Sequence, residues 1–484
     1  MPAEKNNYID FHCHPALKPF GKSFNYKTIG KNHKNRRRLS SIWRYDPPSL
    51  LDKLLNYIGN LTKFSQSNFT SLAKGGVSVI CASLYPLEKG FFDNKIEPEF
   101  LKDLLSNFTS GVGKKRVDAI QKITNYYKDL ELEYDFYLQL NNVGFTLPEG
   151  RFKYRIVRNY QDIKAVITAA ENEKTTISTI CVVMSIEGLH VLNNDTTKPP
   201  IEQEFLNNLK FIKSWATTPF FVAIAHHFWN HLCGHAESFT GIVKRNVDQS
   251  NGLGLGFTAL GIKVVHELLN DQNGRRILID VKHMSVKARQ QYYELLYDNP
   301  DYANVPIIVS HGAANGMVSF ENRSQSGSTV AEKLMAANIN IFNSEIILIA
   351  KSKGILGLQL DERRVVNEKT LKATKNSMSR SKIMHYRSGL LWFQIQHIAE
   401  VLDNEGLFAW DCIVIGSDFD GIVDPLNSFW TAEELPYLAD FLERHAFNYL
   451  INKSFNNQDN NIKADEVISR IMSTNGLAFL EANF

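Results

Sequence analysis

The chain has 484 residues, 44% hydrophobic and 22% charged, the balance of a globular protein with material for a large core. Its 54 basic and 51 acidic residues leave a net charge of +3, which removes any global electrostatic case for nucleic acid or a membrane surface. Five scattered cysteines without a CxxC pair argue against a disulfide framework, and neither a leader-like stretch nor an apolar run of the ~20 residues that span a bilayer is found, so the expectation is a cytoplasmic protein.

In chain order, short apolar runs keep ending in polar, metal-capable residues. Residues 8–11 (YIDF) lead to His12, and 77–84 (VSVICASL) to Tyr85 and Pro86. Residues 180–186 (ICVVMSI) lead to Glu187, 220–225 (FFVAIA) to His226, and 277–281 (ILIDV) to His283. Residues 305–310 (VPIIVS) lead to His311, 355–360 (ILGLQL) to Asp361, and 412–417 (CIVIGS) to Asp418. These runs are β-branched and bounded by polar or glycine residues, as strands buried on both faces are. Amphipathic stretches such as 259–269 and 286–296 separate them. Eight strands alternating with helices predict an α/β protein, a (β/α)8 TIM-type barrel, with catalytic groups at the strand C-termini.

Three spacers exceed what a βα unit needs and are expected to be insertions on one barrel domain spanning 1–484. They lie near 15–75, 87–175 and 362–410. The first holds a helix in DPPSLLDKLLNYI and a basic run, 31–38 (KNHKNRRR), which reads as a solvated loop in preference to a nucleic-acid tail. The second is expected to be mostly helical, including 91–108, and the third to contain a helix over 388–402. From Thr431 onward the chain is expected to be helical, with 465–483 packing back on the barrel.

Residues i and i+2 of a strand face one side, so His12 and His14 can converge on one cation. Glu187 closes an apolar strand, where a carboxylate needs a cation or donors, and its two oxygens could bridge two metals. His283 and His311 close successive strands and could share a second metal. Asp418, in GSDFDG, could bind metal or carry a proton, while Asp420 faces away and Gly416 and Gly421 allow a sharp turn. In AHHFWNHLCGH, His226 reads as a hydrogen-bond donor or electrophile at a strand end; a separate zinc site of His227, His231 and His235 at helical spacing is the alternative. GLGLG at 252–256 follows no strand as a dinucleotide loop must, and no GxSxG or Walker A element occurs.

The order HxH, SIEG at 185–188, DVKHMS at 280–285, PIIVSHG at 306–312 and GSDFDG at 416–421 resembles the membrane (renal) dipeptidase family of the metal-dependent amidohydrolases. GLGFTALGIKVV at 254–265 and the closing NGLAFLEANF resemble it too. The resemblance implies a binuclear zinc hydrolase that cleaves dipeptides through a metal-bridging hydroxide. It implies His12 and His14 on one zinc, Glu187 bridging, and His283 and His311 on the other. It further implies Asp418 as acid/base and metal-site residue, and His226 on the scissile carbonyl. His14 stands where the family usually has aspartate, which removes one negative charge. Arg323, in the loop after His311, is the counterpart of the family's arginine for the substrate carboxylate. The expected partners are a small peptide-like substrate, no nucleic acid and no membrane span, with a homodimer left open. An enzyme acting on another amide, ester or lactam, and a non-catalytic barrel, remain as alternatives.

Overall fold

A computed structural model describes residues 7–24, 38–59, 62, 64–92, 111–172, 177–239, 241–374, 379–422 and 424–484. Its sheet has ten strands: β1 (Tyr8–Cys13), β2 (Val77–Leu84), β3 (Phe145–Leu147), β4 (Gly150–Ile156), β5 (Ile177–Glu187), β6 (Phe221–Ala223), β7 (Leu278–Asp280), β8 (Ile308–Gly312), β9 (Ile355–Leu358) and β10 (Ile413–Ile415). The path β1-β2-β5-β6-β7-β8-β9-β10 is parallel throughout. These are the eight strands expected from the apolar runs. The path nearly closes on itself, as β10 returns to β1: Asp418 N donates to His12 O at 2.9 Å, and His14 N to Phe419 O at 2.9 Å. A (β/α)8-type barrel results, and its strand C-termini share one mouth.

The second insertion departs from the all-helical expectation. Helices Lys114–Ile120, Tyr126–Leu138 and Tyr160–Glu171 are present, but β3 and β4 form an antiparallel hairpin between them. The alternation in Phe152-Lys-Tyr154-Arg-Ile156 is the period of a strand with one apolar face. β4 then pairs with residues 177–182 of β5, while β2 pairs with 181–186 and β6 with 185–187. Since β2 overlaps both in register, β4 and β6 must share the opposite edge of β5. The eleven-residue β5 is thus long enough to hold two neighbours in succession.

The first insertion contains the expected helix, Leu50–Gly59, and the third a helix longer than expected, Arg380–Asn404. Most of the basic run at 31–38 and of the stretch at 91–108 lies outside the described residues. Helix Ala259–Leu269 is capped by the Thr258 hydroxyl and helix Val286–Asp298 by the Ser285 hydroxyl, each accepting from a backbone N–H of the first turn. At the C-terminus Asn475–Asn483 packs back as expected, with Phe479 5.7 Å from the Phe11 ring and 6.0 Å from that of Phe220. Most of the buried apolar residues, from Ile9 to Leu480, form one large core, and Tyr85, Leu87, Phe91, Val112, Val117 and Ile120 form a second, smaller cluster. All five cysteines are buried and unpaired.

Candidate metal centre and active site

Seven side chains from six strand ends meet at the mouth. Glu187, the last residue of β5, lies at the centre. Its carboxylate is 3.0 Å from His14 Nε2, 3.1 Å from His283 Nε2, 3.3 Å from His311 Nε2, 3.5 Å from His12 Nε2 and 3.7 Å from His226 Nε2. Asp418 completes the ring, its oxygens 3.7 Å from His14 Nε2, 3.8 Å from His311 Nε2 and 3.9 Å from His12 Nε2. The histidines and Glu187 are buried, whereas the Asp418 side chain keeps 15% of its surface exposed. Asp418 is therefore the acidic group of the cluster that opens to solvent.

A further layer of hydrogen bonds fixes the rings. Ser310 Oγ contacts His12 Nδ1 and His311 Nδ1, both at 3.0 Å, and donates to buried Asp280. His14 Nδ1 donates to Ser83 O at 3.2 Å, which leaves Nε2 to face Glu187. His226 Nδ1 meets Glu88 Oε2 at 2.6 Å. Asp10 accepts from Ser417 N and Oγ, tying β1 to the turn that presents Asp418. Such partners choose the tautomer and aim the lone pair.

Two positions at the mouth are in the left-handed region, His283 at φ 66° and Asp418 at φ 59°, conformations that non-glycine residues rarely hold. Gly421 explains the turn after Asp418. A Cβ there would lie 2.2 Å from Asp418 Oδ1 and 2.9 Å from His14 Cδ2, so any side chain would displace the carboxylate. Asp420 faces away, as expected. It accepts from Ser67 N at 2.8 Å and pairs with Lys18 at 2.9 Å, which fastens the first insertion to the barrel.

The electrostatics divide the cluster. Burial alone would lower His14, but Asp418 and Glu187 outweigh it and push its pKa up to about 10. Burial opposes the Glu187 charge, yet the surrounding imidazoles hold it well below the usual carboxylate range. Burial and the charge on His226 drive His283 far down; burial and His12 do the same to His311. The latter two are therefore neutral, the form that donates a lone pair to a metal.

The donor set fits metal. A tetrahedral ion about 2.0–2.1 Å from each donor places donors about 3.3 Å apart, and the contacts of Glu187 with His12, His14, His283 and His311 run from 3.0 to 3.5 Å. Ligand atoms of His12, His14 and Glu187 cluster within 4.8 Å, as do those of Glu187, His283 and His311, and of His12, His311 and Asp418. Glu187 belongs to both of the first two groups, as a bridge requires.

Other expectations fare differently. Arg323 is exposed; it donates to Phe320 O at 2.8 Å and Asn338 Oδ1 at 2.7 Å and stacks on Phe342, contacts that do not reach the cluster. The alternative site of His227, His231 and His235 loses its premise, because 226–236 is not helical. His235 is bound to Asn251 O and Ala236 O, and His231 has φ 66°. His227 instead joins His226 and His283 in a group with metal-holding geometry.

Four residues at the mouth were given no role by the sequence, although it sets Tyr85 at a strand end. Tyr85 packs edge-on to His226 at 4.6 Å, and Glu88 holds that histidine. Lys282 is buried beside His283, its pKa pushed down to about 8 by burial and the Arg364 charge. Arg364 reaches from the turn after β9 to the carbonyl of Ser238. For Glu88 the signal was present, since YPLE continues the β2 run. For Lys282 it was present within DVKHMS.

Among the described residues no helix is long and apolar enough to cross a membrane. Comparison with curated proteins finds no match. Among solved structures, a dipeptidase AC, described as a metallopeptidase of family M19, aligns over 99% of both chains at 13% identity with TM-score 0.50. A metallopeptidase from Rhodobacter sphaeroides, bound to a phosphinate mimic of L-Ala-D-Ala, aligns over 99% of both chains at 12% identity with TM-score 0.48. The probable dipeptidase PvdM from Pseudomonas aeruginosa aligns over 86% of this chain and 88% of its own at 15% identity with TM-score 0.48. At 13% identity the likeness to the first of these concerns the fold alone. A sequence-family model matches residues 44–457, beginning after β1, so His12 and His14 lie outside the matched span and are joined to it by the barrel. By that match over most of its length, the chain belongs to the membrane dipeptidase family, peptidase family M19.

Proposed function

We propose that this chain hydrolyses the amide bond of dipeptides or dipeptide-like substrates with two divalent metal ions, zinc by donor chemistry. The observation that carries this reading is Glu187, one carboxylate in contact with five imidazoles at a barrel mouth. His12 and His14 would hold one ion and His283 and His311 the other, with Glu187 between them. The ions would supply an activated water as nucleophile and polarise the scissile carbonyl.

The chain's own residues manage protons and orientation. Asp418, the partly open carboxylate, takes a proton from the nucleophile's side and hands it to the leaving amine. His226 serves the developing oxyanion. Its Nδ1 proton is committed to Glu88 at 2.6 Å, so Nε2 donates only from the imidazolium. Burial works against that cation, but Glu187 and Glu88 outweigh burial and raise its pKa. Tyr85 and the second insertion cover this side of the mouth, keeping the donor in a low-dielectric setting where it counts most.

The test is elemental analysis of metal per chain, repeated after chelation, beside hydrolysis of a dipeptide panel that includes D-residues at the C-terminal position. About two ions per active chain and loss of turnover on chelation are expected. Full activity without stoichiometric metal overturns the reading.

A further inference from the structure

Three imidazoles stand together beside the Glu187 cluster, and one of them, His227, has no part in the chemistry proposed for the mouth. Ligand nitrogens of His226, His227 and His283 lie within 4.8 Å of one another. Between centroids the rings are 3.8 Å apart for His226 and His227, 4.5 Å for His226 and His283, and 5.3 Å for His227 and His283. Hydrogen bonds leave each ring a nitrogen to offer. His226 commits Nδ1 to Glu88 at 2.6 Å, which leaves Nε2. His227 Nδ1 meets Ser238 Oγ at 2.8 Å, and a hydroxyl can accept from it, which again leaves Nε2. Gln249 pins this arrangement by donating to Ser238 Oγ and to His227 O, both at 2.7 Å. His283 turns Nε2 to Glu187 at 3.1 Å, and its buried Nδ1 has no hydrogen-bond partner among the described residues. Buried polar atoms are nearly always satisfied, so a bare ring nitrogen in such company fits a ligand that takes its lone pair.

The balance of charge sets how tightly this group holds a cation. Lys282 adjoins His283 in sequence, and Arg364 donates to the carbonyl of Ser238, so two fixed charges oppose it. Glu88 and Glu187, 2.6 Å and 3.7 Å from His226, favour it. None of the three ligands is a carboxylate, and His283 is shared with the group of Glu187, His283 and His311. An ion here therefore meets repulsion from its neighbours without an anionic ligand of its own, and binds after the two ions grouped on Glu187. Access is open, because His227 is only partly buried.

We propose that His226, His227 and His283 form a third divalent-cation site, and that zinc bound there stops turnover by taking His226 Nε2 away from the oxyanion. The ion displaces the Nε2 proton to water, and the imidazole that served the substrate becomes a ligand. This regulation rests on the amide-hydrolase reading, but the ion can be counted without turnover. The experiment takes full-length protein loaded with two zinc ions, titrates further zinc by equilibrium dialysis, and follows hydrolysis of a dipeptide over the same range. A third equivalent at least ~10-fold weaker than the first two is expected. As it fills, kcat should fall on the order of 10²-fold, the loss typical of one oxyanion donor. His227→Gln should bind only two ions and keep its turnover in the same excess of zinc. Ser238→Ala, which frees the His227 ring without removing it, should weaken the third ion by about 10–100-fold and leave the first two unchanged. A wild type that takes up no third ion, a third equivalent bound with wild-type affinity by both variants, or a third ion bound without loss of kcat overturns the proposal. If the wild type cleaves no peptide but His227→Gln lacks the third equivalent, the hydrolase reading fails and the cation site stands. If peptides are cleaved and both variants bind as many ions as the wild type, as tightly, the cation site fails and the hydrolase reading stands.

Discussion

Two buried glutamates, one at the barrel mouth and one in the helical insertion beside it, are driven in opposite directions. Glu187 and Glu133 are 2% and 1% exposed, so burial penalises both carboxylates similarly. Glu187 lies among five imidazoles and is held far below the usual range. Glu133 accepts one bond, from Tyr85 N at 2.9 Å, and burial pushes it up to about 7. An arginine is close, but Arg116 is spent on Asp129 through two bonds of 2.6 Å, and the Asp129 charge repels a second anion. Company, and whether that company is already committed, decides what a buried carboxylate can do. Glu187 is ready for a cation; Glu133 is ready for a proton.

The strongest way to break this contrast is Glu187→Gln. It removes the shared charge from both proposed metal groups, so both should empty together. Altering a partner behind a ligand costs 10–100-fold in affinity, so losing the bridge should cost more than about 100-fold, read as metal content after dialysis. One ion retained at normal affinity would show that the carboxylate is not shared.

Asp418→Asn should separate chemistry from binding. The amide keeps the shape at φ 59° but cannot carry the proton. kcat should fall at least ~10²-fold with metal largely retained, and less for substrates with good leaving groups. Near-normal kcat on dipeptides would move the proton-transfer role to another residue.

A smaller effect distinguishes the two sides of the cluster. His14, raised to about 10, carries a proton at pH 8 that a cation must expel, whereas His283 and His311 are already neutral. Zinc titrations at pH 8 in buffers of different ionisation enthalpy should therefore show one step with proton release and one without. Equal release in both steps would erase the distinction.

Much of this centre was legible because strand ends at a barrel mouth are a sequence-visible address. An apolar run followed by His or Glu locates the residue and its direction together, which is why Glu187, His283 and His311 converge as expected. What escaped has two causes. The β3–β4 hairpin sits among helices, and its alternating FKYRI was overridden by the amphipathic stretches on either side. Arg323 was placed by its offset from His311, but a loop offset carries no direction. The loop after β8 turns that side chain onto Phe342, while Arg364, from a different turn, reaches to Ser238 above the mouth. Partners assembled by tertiary contact, such as Glu88 with His226 across 138 residues, have no local signature.

The smallest expected effect tests the other glutamate. With a folded pKa of about 7 against 4.5 unfolded, Glu133 keeps its proton in the native state where the unfolded chain has lost it. Between those values the native state binds more protons, so stability falls as pH rises. Below pH 4.5 both states are protonated and the full benefit is present; above pH 7 the native state must bury the charge. Glu133→Gln keeps an acceptor for Tyr85 N and removes the ionisation. The variant should match the wild type near pH 5, where Glu133 is mostly neutral, and be more stable at pH 8 by on the order of 1–3 kcal/mol. Urea unfolding of metal-loaded protein at both pH values measures this. If the difference between variant and wild type does not grow with pH, Glu133 is ionised in the fold after all, and the contrast with Glu187 rests on something other than Arg116 being taken by Asp129.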